Sequence, residues 1–399
     1  EFFGALESLR RIAALMVVLF HVPAWNETFF HLTPVRNGYL MVNLFFVLSG
    51  FVLFHCYHGA ISSRLDLLRF MILRCGRLYP VHLVFLVLFL GVEIAKYVAA
   101  EHFGLRSLNS VPFRENSIQA LFEQFLLVQA LGFTGNQLTY NAPAWSISTE
   151  FYTYVIFGTA ILALARPGFI AFSAAVAAGA MALLAVLGSS IGDFDGMVGC
   201  LAGFFSGCLV GAAYQAMGGR RLANWVSALV VAATAIFVCV KERGDPSWDV
   251  LIYPLSALLV ITLLMTPGSR VNAVLESRPM RWLGERSYSL YMGHWLVIWM
   301  ANQVLRVVLK APDVLVAGKY HLRLSLELAW LAYPATVLAT IALAWLSYRM
   351  IEDPARRWAQ TLAASPRIGP HAGVDRSPGA SVHAGDAAAD GRDTRRTGS

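Results

Sequence analysis

From Ile12 to Tyr348 the chain repeats one pattern: an apolar run of about 17–25 residues, closed at its ends by arginines or a polar loop. Nothing in the sequence constrains the fold more. In hydrocarbon every backbone N–H and C=O must be satisfied within its own segment, which a helix achieves and an open strand does not. Ten runs are predicted to span, at about 12–29, 39–57, 78–100, 145–165, 169–187, 197–217, 222–240, 250–266, 288–309 and 326–348. The expected fold is all-α, a polytopic integral membrane bundle of about ten transmembrane helices. Composition excludes a water-soluble alternative, since only 14% of residues are charged and 57% are apolar. Soluble domains carry roughly a quarter charged residues.

A further apolar stretch, Ile118 to Phe133, is short and interrupted by Glu123, Gln124 and Gln129. If it does not span, and the N-terminus is cytoplasmic, 21 of the 31 basic residues fall on the inner side. If it spans, every later loop changes side and the arginine-rich ones face outward. The positive-inside bias therefore favours ten spans with both termini cytoplasmic. The formal charge of +7 is spread over the ends of apolar runs, not gathered into a basic stripe, so no nucleic-acid partner is expected. No small-residue cleavage site follows the first run, which reads as a retained span. Beyond about Ala363 the chain is rich in Ala, Gly, Asp, Arg and Ser. The expected organisation is a transmembrane domain over 1–358 and a disordered cytoplasmic tail over 359–399.

Ionisable groups inside a span are costly and point to function. His21 follows six apolar residues in the first span, roughly 16 Å along the axis from Arg10 at the inner edge. Neutral imidazole is the cheapest ionisable group to bury and suits proton transfer near neutrality, although a buried histidine can also serve only to bond a neighbouring helix. Arg74 and Arg77, three residues apart, share a face if their segment is helical. Paired guanidinium forks at an inner surface suit a phosphorylated ligand, and suit lipid headgroups as well. Glu150 places a carboxylate in the fourth run, where it either orients a histidine or sits in headgroup water. His294 is a second intramembrane histidine, within a Tyr288–Tyr291–Trp295 stripe. Five cysteines lie in or beside apolar runs as small filler, and no metal-binding or P-loop motif occurs.

Several motifs then fall in a recognisable order. They are Leu6-Glu7-Ser8-Leu9-Arg10 with His21 eleven positions after the arginine, Val42-Asn43-Leu44-Phe45-Phe46-Val47-Leu48-Ser49-Gly50-Phe51, and Arg74-Cys75-Gly76-Arg77-Leu78-Tyr79-Pro80. Trp145-Ser146-Ile147-Ser148-Thr149-Glu150-Phe151 follows, then Leu283-Gly284, Ser287-Tyr288-Ser289-Leu290-Tyr291, His294-Trp295 and Ile351-Glu352-Asp353-Pro354. Over about residues 4 to 358 the chain resembles the bacterial acyltransferase-3 family of membrane O-acyltransferases. It departs from the family in Glu7, where Asp is usual, and in Asn43, where Asp is common.

The resemblance implies transfer of an acyl group, commonly acetyl, from cytoplasmic acyl-CoA to a hydroxyl of a glycan or glycosylated small molecule, with no permanently bound cofactor. On that reading His21 is the base or the acyl carrier, and Glu150 orients it. Arg10, Arg74 and Arg77 face the CoA phosphates. Asn43, Trp145, Ser146, Tyr152, Tyr291 and His294 shape the acceptor site. A proton-coupled transporter is the competing class, but it has no need of an arginine clamp at one face.

Overall fold

In the computed structural model the described residues are 3–104, 109–132, 136–188, 194–242, 246–278, 280, 286–316 and 319–365. The Leu283-Gly284 motif and positions 366–399 of the expected tail lie outside them. The helices that matter here are α1 (Gly4–His21), α2 (Leu40–Tyr57), α3 (Arg64–Phe103), α4 (Ile118–Phe125), α5 (Trp145–Ala163), α6 (Arg166–Leu187) and α7 (Asp195–Ala216). They continue with α8 (Trp225–Val240), α9 (Ile252–Met265), α10 (Ser287–Gln303), α11 (Leu326–Ser347) and α12 (Asp353–Ala363). Six helical stretches among the described residues are long and apolar enough to cross a membrane: α2, α3, α6, α7, α9 taken from Trp248, and the run from α11 into α12.

Burial separates a core from a rim. The apolar windows of α2 and α7 are 61% and 72% buried, whereas those of α3, α6 and the α11–α12 run are 22%, 17% and 22% buried. Exposed Val87, Ile94, Val186, Leu331 and Leu338 lie on those rim helices. Without a hydrophobic drive between helices in lipid, close backbone approach supplies the packing, and small residues permit it. Glycines 199, 203, 207 and 211 make a stripe along α7 against α2 and its neighbours. A Cβ at Gly207 would meet the carbonyl of Val47, and one at Gly50 the carbonyl of Phe204.

Three boundaries differ from the sequence reading. The first helix begins at Gly4 and ends at His21, not near Phe29. Pro23 explains the stop, because the residue before a proline is driven out of the helical region, and Val22 is extended at φ −62°, ψ 126°. Arg10 and Arg11 therefore lie within the helix and are buried, at 6% and 2% exposure, rather than at its rim. The arginine segment is also fully helical: α3 runs unbroken from Arg64, so the third helix starts fourteen residues before Leu78. In the expected tail, positions 359–363 form the last turns of α12, where Ala359 packs against Gly76.

The short stretch after Ile118 forms only the eight-residue α4. At 1.5 Å per residue it rises about 12 Å, well short of a hydrocarbon core of about 30 Å. Its buried Gln124 donates to the Thr139 carbonyl at 2.8 Å, which ties α4 down on the protein. The one sheet among the described residues is a hairpin of β1 (Asp313–Val316) and β2 (Lys319–Leu322), paired antiparallel with Asp313 opposite Leu322. Arg306 donates twice to Asp313, at 2.9 and 2.8 Å, and these bonds hold the Asp313 carboxyl below the usual carboxylate range. Leu322 and Leu324 then pack with fully buried Trp25, closing the end of the bundle beyond His21.

Candidate active site

Two polar groups lie at different heights along α1. The first is a histidine pair. His294, on α10, is fully buried, and its Nε2 stands 3.2 Å from Nδ1 of half-buried His21. His21 Nδ1 is also 2.9 Å from the Val17 carbonyl oxygen one turn back, while His294 Nδ1 is 2.5 Å from the Tyr291 carbonyl oxygen. Trp295 meets the His21 ring edge-on at 5.5 Å between centroids. The i to i−4 and i to i−3 carbonyl contacts explain why these rings hold still: each is tied to its own helix before it meets the other.

The second group lines a cavity of about 60 Å³ between α1, α2, α3, α5 and α10. Arg10 donates to Glu7 at 2.6 Å and to the Leu48 carbonyl at 3.2 Å. Glu150 accepts from the Ser49 hydroxyl at 2.7 Å and from the Tyr154 hydroxyl at 2.5 Å, both on the same oxygen. Arg77 lines the cavity among the charges of Glu352, Glu7 and Glu150. Glu352 is 2% exposed, sits in a π-turn (Tyr348–Glu352) between α11 and α12, and accepts from Ser289 at 2.6 Å. Such π-turns recur at functional sites, since they shift one side chain off the helical face. Tyr288 donates to the Leu78 carbonyl at 2.5 Å, two residues before Pro80.

Tyr291 joins the two levels. Its hydroxyl lines the cavity and donates to the Pro143 carbonyl at 3.1 Å, and Ser146 donates to it at 2.8 Å. Its backbone carbonyl, as described, receives the His294 ring. From Arg10 to His21 the rise is roughly 16 Å.

The structure brings together most of the residues singled out by sequence, though in different partnerships. His21 and Glu150 do not meet. Glu150 belongs to the arginine cavity, through Ser49 and Tyr154, and the ring partner of His21 is His294. Arg77 faces the cavity, whereas Arg74 turns to Tyr57, donating to its hydroxyl at 3.1 Å and lying over its ring at 5.4 Å. Ser146 and Tyr291 line the cavity; Trp145 stands behind it against Phe46 at 6.3 Å. Tyr152 and Asn43 are not among the lining residues. The Tyr152 hydroxyl donates to the Leu126 carbonyl at 3.2 Å beyond α4, and Asn43 faces Gly199 on α7, because each points to the other side of its helix. Ser49, Tyr154 and Glu352 are cavity or second-layer residues to which sequence assigned no role. Tyr154 was readable as the residue four after Glu150, on the same face.

A family model described as an acyltransferase domain matches residues 3–349. The chain is 22% identical over 390 residues to the peptidoglycan O-acetyltransferase OatA of Listeria monocytogenes, covering 90% of this chain and 56% of that protein. It is 25% identical over 395 residues to the putative peptidoglycan O-acetyltransferase YrhL of Bacillus subtilis, covering 89% and 55%. Over a shorter stretch of 168 residues it is 33% identical to protein 2 in the picA locus of Rhizobium radiobacter, 39% of this chain and 81% of that one. The chain thus spans about half the length of the first two relatives. No solved structure matches it.

Proposed function

The chain belongs to the acyltransferase-3 family, and on that premise we propose that it moves an acyl group, acetyl in the simplest case, from cytoplasmic acyl-CoA to a hydroxyl of a carbohydrate acceptor. The observation that carries this reading is the pairing of a charged cavity with a neutral base along one helix. Arg10 and Arg77, which line the cavity, offer guanidinium groups to the phosphates of the donor. His21, at the opposite end of α1, takes the proton of the acceptor hydroxyl as its oxygen attacks the thioester carbonyl. The C–S bond then breaks, and the CoA thiolate recovers that proton as the free thiol. Ser146 and Tyr291 line the cavity, and the Tyr291 carbonyl meets the His294 ring.

The chain is placed in a bacterial inner membrane with ten spans and both termini in the cytoplasm. Its arginine distribution and the shortness of α4 support that arrangement. The region after α12 is assigned to a cytoplasmic tail. The relatives named peptidoglycan O-acetyltransferases make a glycan of that kind the first acceptor to try.

The test is to incubate membranes carrying the protein with radiolabelled acetyl-CoA and analyse peptidoglycan fragments and other glycosides for label. Alkali-labile label on a glycan that disappears with His21→Ala is the expected result. Undiminished labelling in that variant removes His21 from the mechanism. Absence of labelling from any acyl-CoA returns the chain to proton-coupled transport.

A further inference from the structure

The histidine pair contains more information than its proximity. A carbonyl oxygen only accepts hydrogen bonds, so a ring nitrogen held 2.5–2.9 Å from one must carry a hydrogen. His294 Nδ1, against the Tyr291 carbonyl, is such a nitrogen. A neutral imidazole has one N–H, which leaves a lone pair on His294 Nε2. That lone pair faces His21 Nδ1 at 3.2 Å. His21 Nδ1 lies 2.9 Å from the Val17 carbonyl and so also carries a hydrogen, which it shares between that oxygen and His294 Nε2.

The opposite assignment fails on the same distances. If His294 Nε2 carried the hydrogen in a neutral ring, its Nδ1 lone pair would face the Tyr291 oxygen. If His294 were doubly protonated and donated both ways, the His21 Nδ1 lone pair would face the Val17 oxygen instead. It would also leave a cation on a fully buried ring to which no carboxylate is hydrogen-bonded among the described residues.

We propose that His294 is a positioning residue that, together with the Val17 carbonyl, holds His21 as the Nδ1–H tautomer and fixes its ring, so that the nitrogen His21 presents to the reacting groups is Nε2. The ring partner in this role is a neutral imidazole, where hydrolytic triads use a carboxylate. When the acceptor hydroxyl gives its proton to His21 Nε2, the Nδ1–H bond to His294 becomes charge-assisted and stabilises the imidazolium. When the thiolate takes that proton from Nε2, the original tautomer is restored, and His294 has gained and lost nothing. The catalytic consequence rests on the acyl-transfer reading; the tautomer itself rests on geometry alone.

Two measurements separate these levels. The first needs no activity. The intact protein is labelled with ring-¹⁵N histidine in lipid nanodiscs, and His21 is assigned by difference with His21→Ala. A hydrogen-bearing Nδ1 and a bare Nε2 are expected, and a bare Nδ1 overturns the proposal. The second is a rescue series in the acetyl-transfer assay. His294→Gln can place an amide oxygen near the position of Nε2, whereas His294→Asn can reach only the position of Nδ1. Alanine and asparagine are expected to lower kcat about 100-fold with KM for acetyl-CoA unchanged within about three-fold, and glutamine to recover most of the loss. An unchanged kcat in His294→Ala overturns the positioning role. Equal losses in all three variants do so as well, since they mark a packing role. If the tautomer is as stated while His21→Ala still labels glycans in full, it is the functional reading that falls.

Discussion

Eleven positions of α1 separate two polar sites that handle burial in opposite ways. At Arg10 the site is ionic: arginines and the carboxylates of Glu7, Glu150 and Glu352 offset one another around a small cavity. At His21 the site is neutral: two imidazoles satisfy each other and two backbone carbonyls. An ionic cluster in a low-dielectric interior stores interaction energy that an incoming phosphate can exchange for a bound carboxylate. A neutral pair has no such capacity for anions, but one of its nitrogens is left available to take a proton. The division matches the two demands of the proposed acyl transfer, holding a polyanionic donor and deprotonating a hydroxyl, and on that proposal damage to the two sites appears in different kinetic constants.

The sharpest test of that division is His21→Ala. Its loss is expected to lower kcat about 10³-fold, in the range that a positioned general base supplies, while KM for acyl-CoA stays within about three-fold. The side chain is half-buried at the last residue of α1, so the helix keeps its packing and the variant should accumulate in membranes at the native level. A large rise in KM would place the donor at the histidines and merge the two sites into one.

Glu150→Gln probes the ionic site with shape retained. Its carboxylate accepts two hydroxyl bonds on one oxygen and lies in the field of Arg77, so the amide can keep both bonds and loses the charge. A fall in kcat of about 30-fold is expected from the altered field in the cavity. The KM for acyl-CoA should not rise, since a negative charge opposing the phosphates has been removed. A smaller effect is expected for Arg77→Ala, with KM for acyl-CoA up about ten-fold and kcat little altered. Because the two sites lie roughly 16 Å apart, His21→Ala and Arg77→Ala should be additive in free energy. Coupling above about 0.5 kcal/mol would show that the sites act as one.

Much of this arrangement was readable in the chain, and what was not readable is non-local. Helix identity follows from apolar runs, whereas a shared face for Arg74 and Arg77 was conditional on a helix there; α3 supplies the helix, but Arg77 faces the cavity and Arg74 faces Tyr57. The end of α1 was missed although Pro23 announces it, because the apolar run continues past the proline to Phe29. The glycine stripe on α7 packs against α2, a partner that the sequence does not name. The same limit governs the site. Intramembrane polarity identified His21, Glu150 and His294 as costly groups needing partners, yet the choice among partners depends on helix rotation and depth. Glu150 was joined to His21 by chemistry alone; the fold gives it Ser49 and Tyr154 instead, and gives His21 the histidine 273 positions away. The hairpin beyond α10 left no strong period in only four residues per strand.

Asn43 tests the geometric assignment where its expected effect is smallest. Family resemblance places it among acceptor residues, because an aspartate is common at that position. In the fold its side-chain oxygen faces Gly199, 3.7 Å from where a Cβ would stand there, with the Tyr253 hydroxyl nearby, and it is absent from the cavity lining. It is one step along α2 from Val42 and two from Phe45, which do line the cavity, so it lies on a neighbouring face of the same helix. Asn43→Ala is therefore expected to change kcat/KM for either substrate by less than about three-fold. Its cost should fall on the α2–α7 contact, at roughly 0.5–1.5 kcal/mol if the amide is hydrogen-bonded there in the membrane, read as a lower temperature of detergent-induced unfolding. A loss above about ten-fold in kcat/KM for the acceptor, with that temperature unchanged, would put the acceptor against α7, on the side of α2 away from the cavity.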